Sequence, residues 1–239
     1  MLFIPKIDKL RVNMLLHVEI PEPKLKVWTA EALQHLPKLA LIADGFSDRE
    51  VAYNTVKAVQ SGVEWVHLRD HSISEKRFWE IGRILVGRLR RVNEEVLISV
   101  NRYAQFAGEW YTGVHVGAAG VSIEDARNVE GVNGPIGYSA HNFDVAHAAF
   151  DAGAHYVFFS PIFPTASKPD HPGEGIDELA KVCDILSPNR VYALGGVTPE
   201  RVRRCLDAGA AGVAVASGIT RSDDPIAAAA AYLEELTTG

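Results

Sequence analysis

Ala208-Gly209-Ala210-Ala211-Gly212-Val213 repeats the pattern of Ser61-Gly62-Val63-Glu64-Trp65-Val66 and of Ala152-Gly153-Ala154-His155-Tyr156-Val157. In each, an amphipathic stretch ends, one glycine follows, and an apolar run begins. Glycine takes a left-handed backbone without steric cost, so each glycine reads as the residue that stops a helix and leads into a strand. Working outward from these junctions, short apolar runs fall at 38–43, 64–68, 96–100, 113–116, 135–139, 155–159, 190–194 and 212–216. They are apolar on both faces, as parallel strands buried from both sides should be. Helical stretches fall at 48–61, 74–91, 102–109, 122–129, 142–152, 175–186, 198–208 and 225–236. Thr198-Pro199-Glu200 and Ser222-Asp223-Asp224-Pro225 place a capping residue before a proline in the first helical turn. Eight strands alternating with eight helices predict a closed (β/α)₈ TIM barrel over 37–239. The competing open, doubly wound sheet would carry a G-x-G-x-x-G turn after its first strand, and Ala43-Asp44-Gly45-Phe46-Ser47 is no such turn.

A length of 239 residues suits one such barrel, and 47% apolar with 23% charged residues is ordinary for a globular chain with a sizeable core. The net charge of −6 gives no support to a nucleic-acid surface. The basic cluster from Arg83 to Arg91 reads as the solvated end of a helix. Cys183 and Cys205 lie on helical stretches outside any C-x-x-C spacing, so neither a zinc site nor a disulfide framework is expected. There is no leader-like apolar segment at the N-terminus and no run long enough to span a bilayer, so a cytoplasmic protein without a membrane partner is expected. Residues 1–36 stand outside the repeating unit. They are expected to form an arm, with a short helix near Thr29–Leu36, that caps the barrel floor or meets a partner subunit.

In a barrel the turns after the strands build the site. That rule selects Asp44, Arg69, His71, Asn101, Arg102, His115, Ser139, His141, Thr165, Ser167, Lys168, Gly195, Gly196, Ser217 and Gly218. Gly195-Gly196 and Ser217-Gly218 follow the seventh and eighth strands, where small residues let backbone N–H groups approach a phosphate; the glycines could equally serve tight turns. Thr165, Ser167 and Lys168 offer two hydroxyls and an ammonium to a phosphate or pyrophosphate. Arg69 can grip an oxyanion through its planar fork, and the adjacent Asp70 is expected to pair with it. His67 and His115 read as structural barrel histidines. His141, at the rim after the fifth strand, offers an imidazole placed to move a proton; the alternative readings are helix capping or a surface position. Among the carboxylates and histidines no metal cluster stands out.

From about Leu41 to Leu236 the chain resembles the thiamine phosphate synthase superfamily, which includes the thiazole tautomerases. The resemblance rests on His67-Leu68-Arg69-Asp70, Gly113-Val114-His115-Val116-Gly117, Ile136-Gly137-Tyr138-Ser139-Ala140-His141, Phe159-Ser160-Pro161-Ile162-Phe163-Pro164-Thr165-Ala166-Ser167-Lys168 and Ala193-Leu194-Gly195-Gly196-Val197-Thr198-Pro199. It implies a small phosphorylated thiazole-type substrate and a homodimer.

The synthase joins a pyrimidine pyrophosphate to a thiazole phosphate, with Mg²⁺ holding the leaving pyrophosphate. Its pattern Gln-x-Arg-x-Lys after the second strand reads His67, Arg69 and His71 here. Its Asn-Asp after the third strand reads Asn101-Arg102, and its Gly-Gln with a following acidic residue after the fourth reads Gly117-Ala118-Ala119-Gly120. Both metal-binding carboxylates are therefore missing. The tautomerase branch needs no metal and moves a proton with a histidine at the position of His141. Thiazole tautomerase is accordingly the leading expectation, with His141 as general acid/base and no cofactor. On that reading Arg69 or Lys168 holds a carboxylate, and Asn101, Ser139, Thr165, Ser167 and the four small residues after the last two strands bind substrate. The alternatives are the Mg²⁺-dependent synthase and a non-catalytic module that binds a thiamine-pathway phosphate.

Overall fold

The eight apolar runs form eight parallel strands in a computed structural model that describes residues 28–110, 112–188 and 190–237. They are β1 (Leu39–Asp44), β2 (Trp65–Arg69), β3 (Leu97–Asn101), β4 (Gly113–Val116), β5 (Ile136–Ala140), β6 (Tyr156–Phe159), β7 (Arg190–Leu194) and β8 (Gly212–Val215). Each pairs with the next, and β8 returns to β1 with Leu39 opposite Val213 and Leu41 opposite Val215, so the barrel is closed. This is the (β/α)₈ architecture expected from the sequence.

The helices are α1 (Ala30–Gln34), α2 (Arg49–Gln60), α3 (Glu75–Val92), α4 (Ala104–Trp110), α5 (Ile123–Arg127), α6 (Phe143–Asp151), α7 (Ile176–Ile185), α8 (Pro199–Asp207), α9 (Ser217–Thr220) and α10 (Pro225–Thr237). No helix among the described residues is long and apolar enough to cross a membrane.

The three glycine junctions show why helix gives way to strand. Gly62, Gly153 and Gly209 have φ of 107°, 92° and 89°. After α2, Gly62 N–H donates to the Val59 carbonyl and Val63 N–H to the Ala58 carbonyl, both at 3.1 Å. The same pair of bonds closes α6 and α8, so all three are helix ends that satisfy their last carbonyls through a left-handed residue. At the opposite ends, the Asp224 carboxylate accepts from Ala227 N–H at 3.0 Å to start α10. Thr198 occupies the capping position of α8, but its side chain makes no capping bond there.

Alternation along β2 decides what each residue faces. Val66 and Leu68 point outward into the layer between strands and helices. Trp65, His67 and Arg69 point inward and climb from floor to mouth. The lower interior is aromatic: the Trp65 ring lies 4.7 Å from Tyr156, 5.2 Å from Tyr192 and 5.5 Å from Phe158, between centroids. Leu36 and Trp28 pack against this cluster. Tyr192 O–H reaches the Leu36 carbonyl at 3.5 Å, and the Arg190 guanidinium donates to the Gln34 carbonyl. Residues 28–36, which include a helix at Ala30–Gln34, thus pack against the aromatic end of the barrel interior. The rest of the expected arm, residues 1–27, lies outside the described residues.

Candidate active site

The strand ends open into a cavity of about 510 Å³. All fifteen residues selected from the sequence for standing just after a strand line it, so the structure brings them together. They fall into three groups around the mouth.

The first group comes from β1, β2 and β3. Asp44 and Arg69 are cross-strand neighbours, and Arg69 Nη1 donates to Asp44 Oδ2 at 3.1 Å. The expectation that Arg69 pairs with Asp70 is therefore corrected. Asp70, one step further along the chain, turns the other way and is only 3% exposed. Its carboxylate accepts from Ser47 N–H at 3.0 Å, Ser72 N–H at 3.0 Å and the Ser72 hydroxyl at 2.6 Å. Burial alone would raise the Asp70 pKa, but these hydrogen bonds outweigh it and hold the carboxyl below its usual range. A carboxyl depressed in the folded state contributes stability above its unfolded pKa and loses it as pH falls through the folded value. Asp70→Asn is accordingly expected to cost stability at pH 7 and to flatten its decline below about pH 4. Urea unfolding across that range checks this, and parallel curves for the two proteins would contradict it.

His71 Nε2–H donates to Asn101 Oδ1 at 3.0 Å, which leaves the Asn101 amide nitrogen as the donor for the cavity. Arg102 follows with φ 68°, a left-handed conformation that is uncommon outside glycine.

The second group is carried by β4, β5 and β6. His115 bridges the Tyr156 hydroxyl at 3.2 Å and the Ser139 hydroxyl at 2.9 Å, so it fixes Ser139 at the cavity wall. Burial, then the neighbouring His67 and Arg69 charges, hold His115 well below its ordinary pKa. Burial also pushes His67 down to about 3, with Arg69 adding to the effect. Both imidazoles are neutral at pH 7 and serve the interior, His67 through Ser99 Oγ at 3.0 Å. His141 Nδ1–H donates to the Ser160 carbonyl at 2.6 Å, leaving Nε2 as its free ring nitrogen. After β6, Thr165, Ser167 and Lys168 form a small turn in which Lys168 N–H bonds the Thr165 carbonyl at 3.0 Å.

The third group follows β7 and β8. Gly195 and Gly196 have φ of 96° and 62°. A Cβ on Gly195 would stand 2.7 Å from the Pro161 Cβ, and one on Gly196 would meet the Pro164 carbonyl oxygen. The two glycines thus serve a tight turn and let the segment after β6 lie against them. Phe163 N–H bonds the Gly195 carbonyl at 3.0 Å. Ser217 and Gly218 open α9, whose first amides have no intrahelical acceptor. Tyr232 of α10 lies beneath, donating to the Val197 carbonyl at 3.0 Å, and a Cβ on Gly218 would come within 2.5 Å of its hydroxyl. Sequence reasoning missed Tyr232, because on a helix of alanines and leucines it reads as packing.

A magnesium ion does not fit the residues present. Asp44 is the one carboxylate among the described residues lining the cavity, and it is engaged by Arg69. The turn after β3 offers Arg102, the turn after β4 offers Gly117 to Gly120, and no group of three or more His, Cys, Asp or Glu among the described residues is placed to hold a metal. A hard dication needs oxygen ligands and takes carboxylates first.

Residues 39–219 match the family described as TMP-TENI, thiamine monophosphate synthase. The thiamine-phosphate synthase of Natronomonas pharaonis is 34% identical over 186 residues, covering 77% of this chain and 86% of that one. The thiamine-phosphate synthase of Geobacillus thermodenitrificans is 44% identical over 124 residues, or 50% of this chain and 54% of that one. Among solved structures, thiamine phosphate pyrophosphorylase from Pyrococcus furiosus superposes with a TM-score of 0.72 at 26% identity, covering 83% of this chain and 95% of that one.

These relatives overturn the tautomerase expectation. It rested on two missing carboxylates and on His141, and gave too little weight to what is retained: Arg69 at the mouth and the run Pro164-Thr165-Ala166-Ser167-Lys168 after β6. Missing ligands say how a pyrophosphate is not held; they do not say that none is bound. By the span of the match and the identity of these relatives, the chain belongs to the thiamine monophosphate synthase family.

Proposed function

We propose that this protein is a thiamine-phosphate synthase, joining a pyrimidine bearing a methylene pyrophosphate to a thiazole phosphate. In that reaction the thiazole ring nitrogen forms a bond to the methylene carbon. The carbon–oxygen bond to pyrophosphate breaks, its electron pair leaves with pyrophosphate, and the nitrogen becomes quaternary.

One observation carries the reading: a single cavity gathers anion-holding groups from the turns after β2, β3, β6, β7 and β8. Gly195, Gly196, Ser217 and Gly218 lie where barrels of this class hold a phosphate, and would take that of the thiazole. Arg69 and Asn101 after β2 and β3, and Lys168 after β6, line the same cavity and would take the pyrophosphate, with Thr165, Ser167 and Ser139 donating hydroxyls. The names of the relatives point to the same chemistry. The test is incubation of purified protein with both substrates, following thiamine phosphate and released pyrophosphate. Absence of both products with and without Mg²⁺ would defeat the proposal.

No proton changes hands in this bond exchange, so His141 has no acid/base task in it. Its Nδ1–H bond to the Ser160 carbonyl gives it a part in holding the turn after β6. His141→Ala is expected to keep kcat/KM within about 10-fold, the worth of one hydrogen bond. A general base would cost about 10²–10⁴-fold. Steady-state kinetics separate the two.

A further inference from the structure

The mouth of the barrel holds more positive charge than its own residues neutralise. Arg69, Arg102 and Lys168 line one cavity with a single carboxylate, Asp44, and that carboxylate is already paired with Arg69. Among the described residues, neither the Arg102 guanidinium nor the Lys168 ammonium makes an ion pair or a side-chain hydrogen bond. Uncompensated cations sharing a cavity repel one another, and the arrangement relaxes when a polyanion enters.

The backbone holds Arg102 firmly in place. Tyr103 N–H bonds the Asn101 carbonyl at 2.7 Å across it, and Arg102 N–H bonds the His115 carbonyl at 3.0 Å. Its φ of 68° is one that glycine would adopt at less cost, so this turn tolerates strain to carry an arginine side chain. Beside it, Asn101 has its oxygen taken by His71 and its amide N–H groups available, which adds donors and no negative charge. A divalent ion would be repelled here, and an anion would be held.

We propose that Arg102 acts as a built-in cation in place of a divalent metal, so that Arg69, Arg102 and Lys168 bind pyrophosphate and support its departure without Mg²⁺. The choice of pyrophosphate rests on the synthase reading; the anion site itself rests on the charges. As the carbon–oxygen bond breaks, the electron pair goes to the departing oxygen, and these side chains meet that growing charge by hydrogen bonds, with no proton moved.

Inorganic pyrophosphate titrated calorimetrically into the full chain tests this. Saturable binding is expected in EDTA, and added Mg²⁺ is not expected to tighten it. Arg102→Gly removes the charge while suiting the backbone, so it is expected to melt no lower than the parent and to weaken pyrophosphate by about 10-fold or more. Arg102→Lys should recover part of the loss. Binding that appears only with Mg²⁺, or an Arg102→Gly protein that binds as the parent does, overturns the proposal. Turnover separates it from the functional reading. Thiamine phosphate made only with Mg²⁺, by a protein that ignores pyrophosphate in EDTA, keeps the synthase and removes the metal-free site. Pyrophosphate bound in EDTA, with no thiamine phosphate formed under any condition, keeps the metal-free site and removes the synthase.

Discussion

Replacing Arg69 by alanine is expected to lower kcat/KM for thiamine phosphate formation by about 10²–10³-fold while leaving the melting temperature nearly unchanged. The two halves of that expectation have different causes. Arg69 and Asp44 form their ion pair at 3.1 Å with side chains 42% and 45% exposed. Water and salt screen such a pair, so it contributes only about 0–1 kcal/mol to folding. Toward a polyanion the balance reverses. The substitution removes a bidentate donor and leaves Asp44 facing the same ligand without its partner, so one change deletes an attraction and uncovers a repulsion. The Asp44→Ala/Arg69→Ala double variant should therefore recover about 10-fold over the single variant, a coupling that residues in contact commonly show. Kinetics of both proteins provide the check. Equal rates for the single and double variants would mean that Asp44 does not face the anion.

Gly137→Ala is expected to cost about 2–3 kcal/mol, seen as a fall of roughly 5–10 °C in melting temperature. A Cβ at this point of β5 would run into the ring of Tyr156. That ring is fully buried and set edge-on to Trp65 at 4.7 Å between centroids, so it has nowhere to withdraw. The effect should reach the cavity, because Tyr156 holds His115 at 3.2 Å and His115 holds Ser139 at 2.9 Å. Gly117→Ala is the control, since its added carbon would meet nothing nearer than Ser139 Cβ at 3.6 Å. Similar melting temperatures for the two variants would show that the interior can repack around Gly137.

The barrel was legible because its rules are local. Gly62, Gly153 and Gly209 announce helix ends through backbone freedom alone, and each apolar run lies within a residue or so of its strand. Helix α9 escaped notice because Ser217-Gly218-Ile219-Thr220 is too short to show a period. The candidate site was legible as a set of residues, since standing after a strand fixes position in this fold. Partners were harder. Sequence adjacency suggested Asp70 for Arg69, yet neighbours along a strand point to opposite sides, and the true partner depended on the register that sets Asp44 opposite Arg69. The choice of chemistry turned on a different difficulty: two absent carboxylates were visible, and so were three cations after strands, but that Asp44 pairs with Arg69 and leaves Arg102 and Lys168 uncompensated emerged only from the fold.

The aromatic floor of the barrel has an electrostatic consequence. Trp65, Tyr156, Phe158 and Tyr192 fill the space below the mouth, and the two histidines above them are held neutral. That packed plug has few dipoles free to reorient, so field lines from Arg69, Arg102 and Lys168 are little screened from below and emerge through the opening. On a chain of net charge −6, the mouth becomes a funnel for anions set in a surface that repels them. Substrate capture should thus slow as ionic strength rises, with the opening rather than the whole molecule setting the slope.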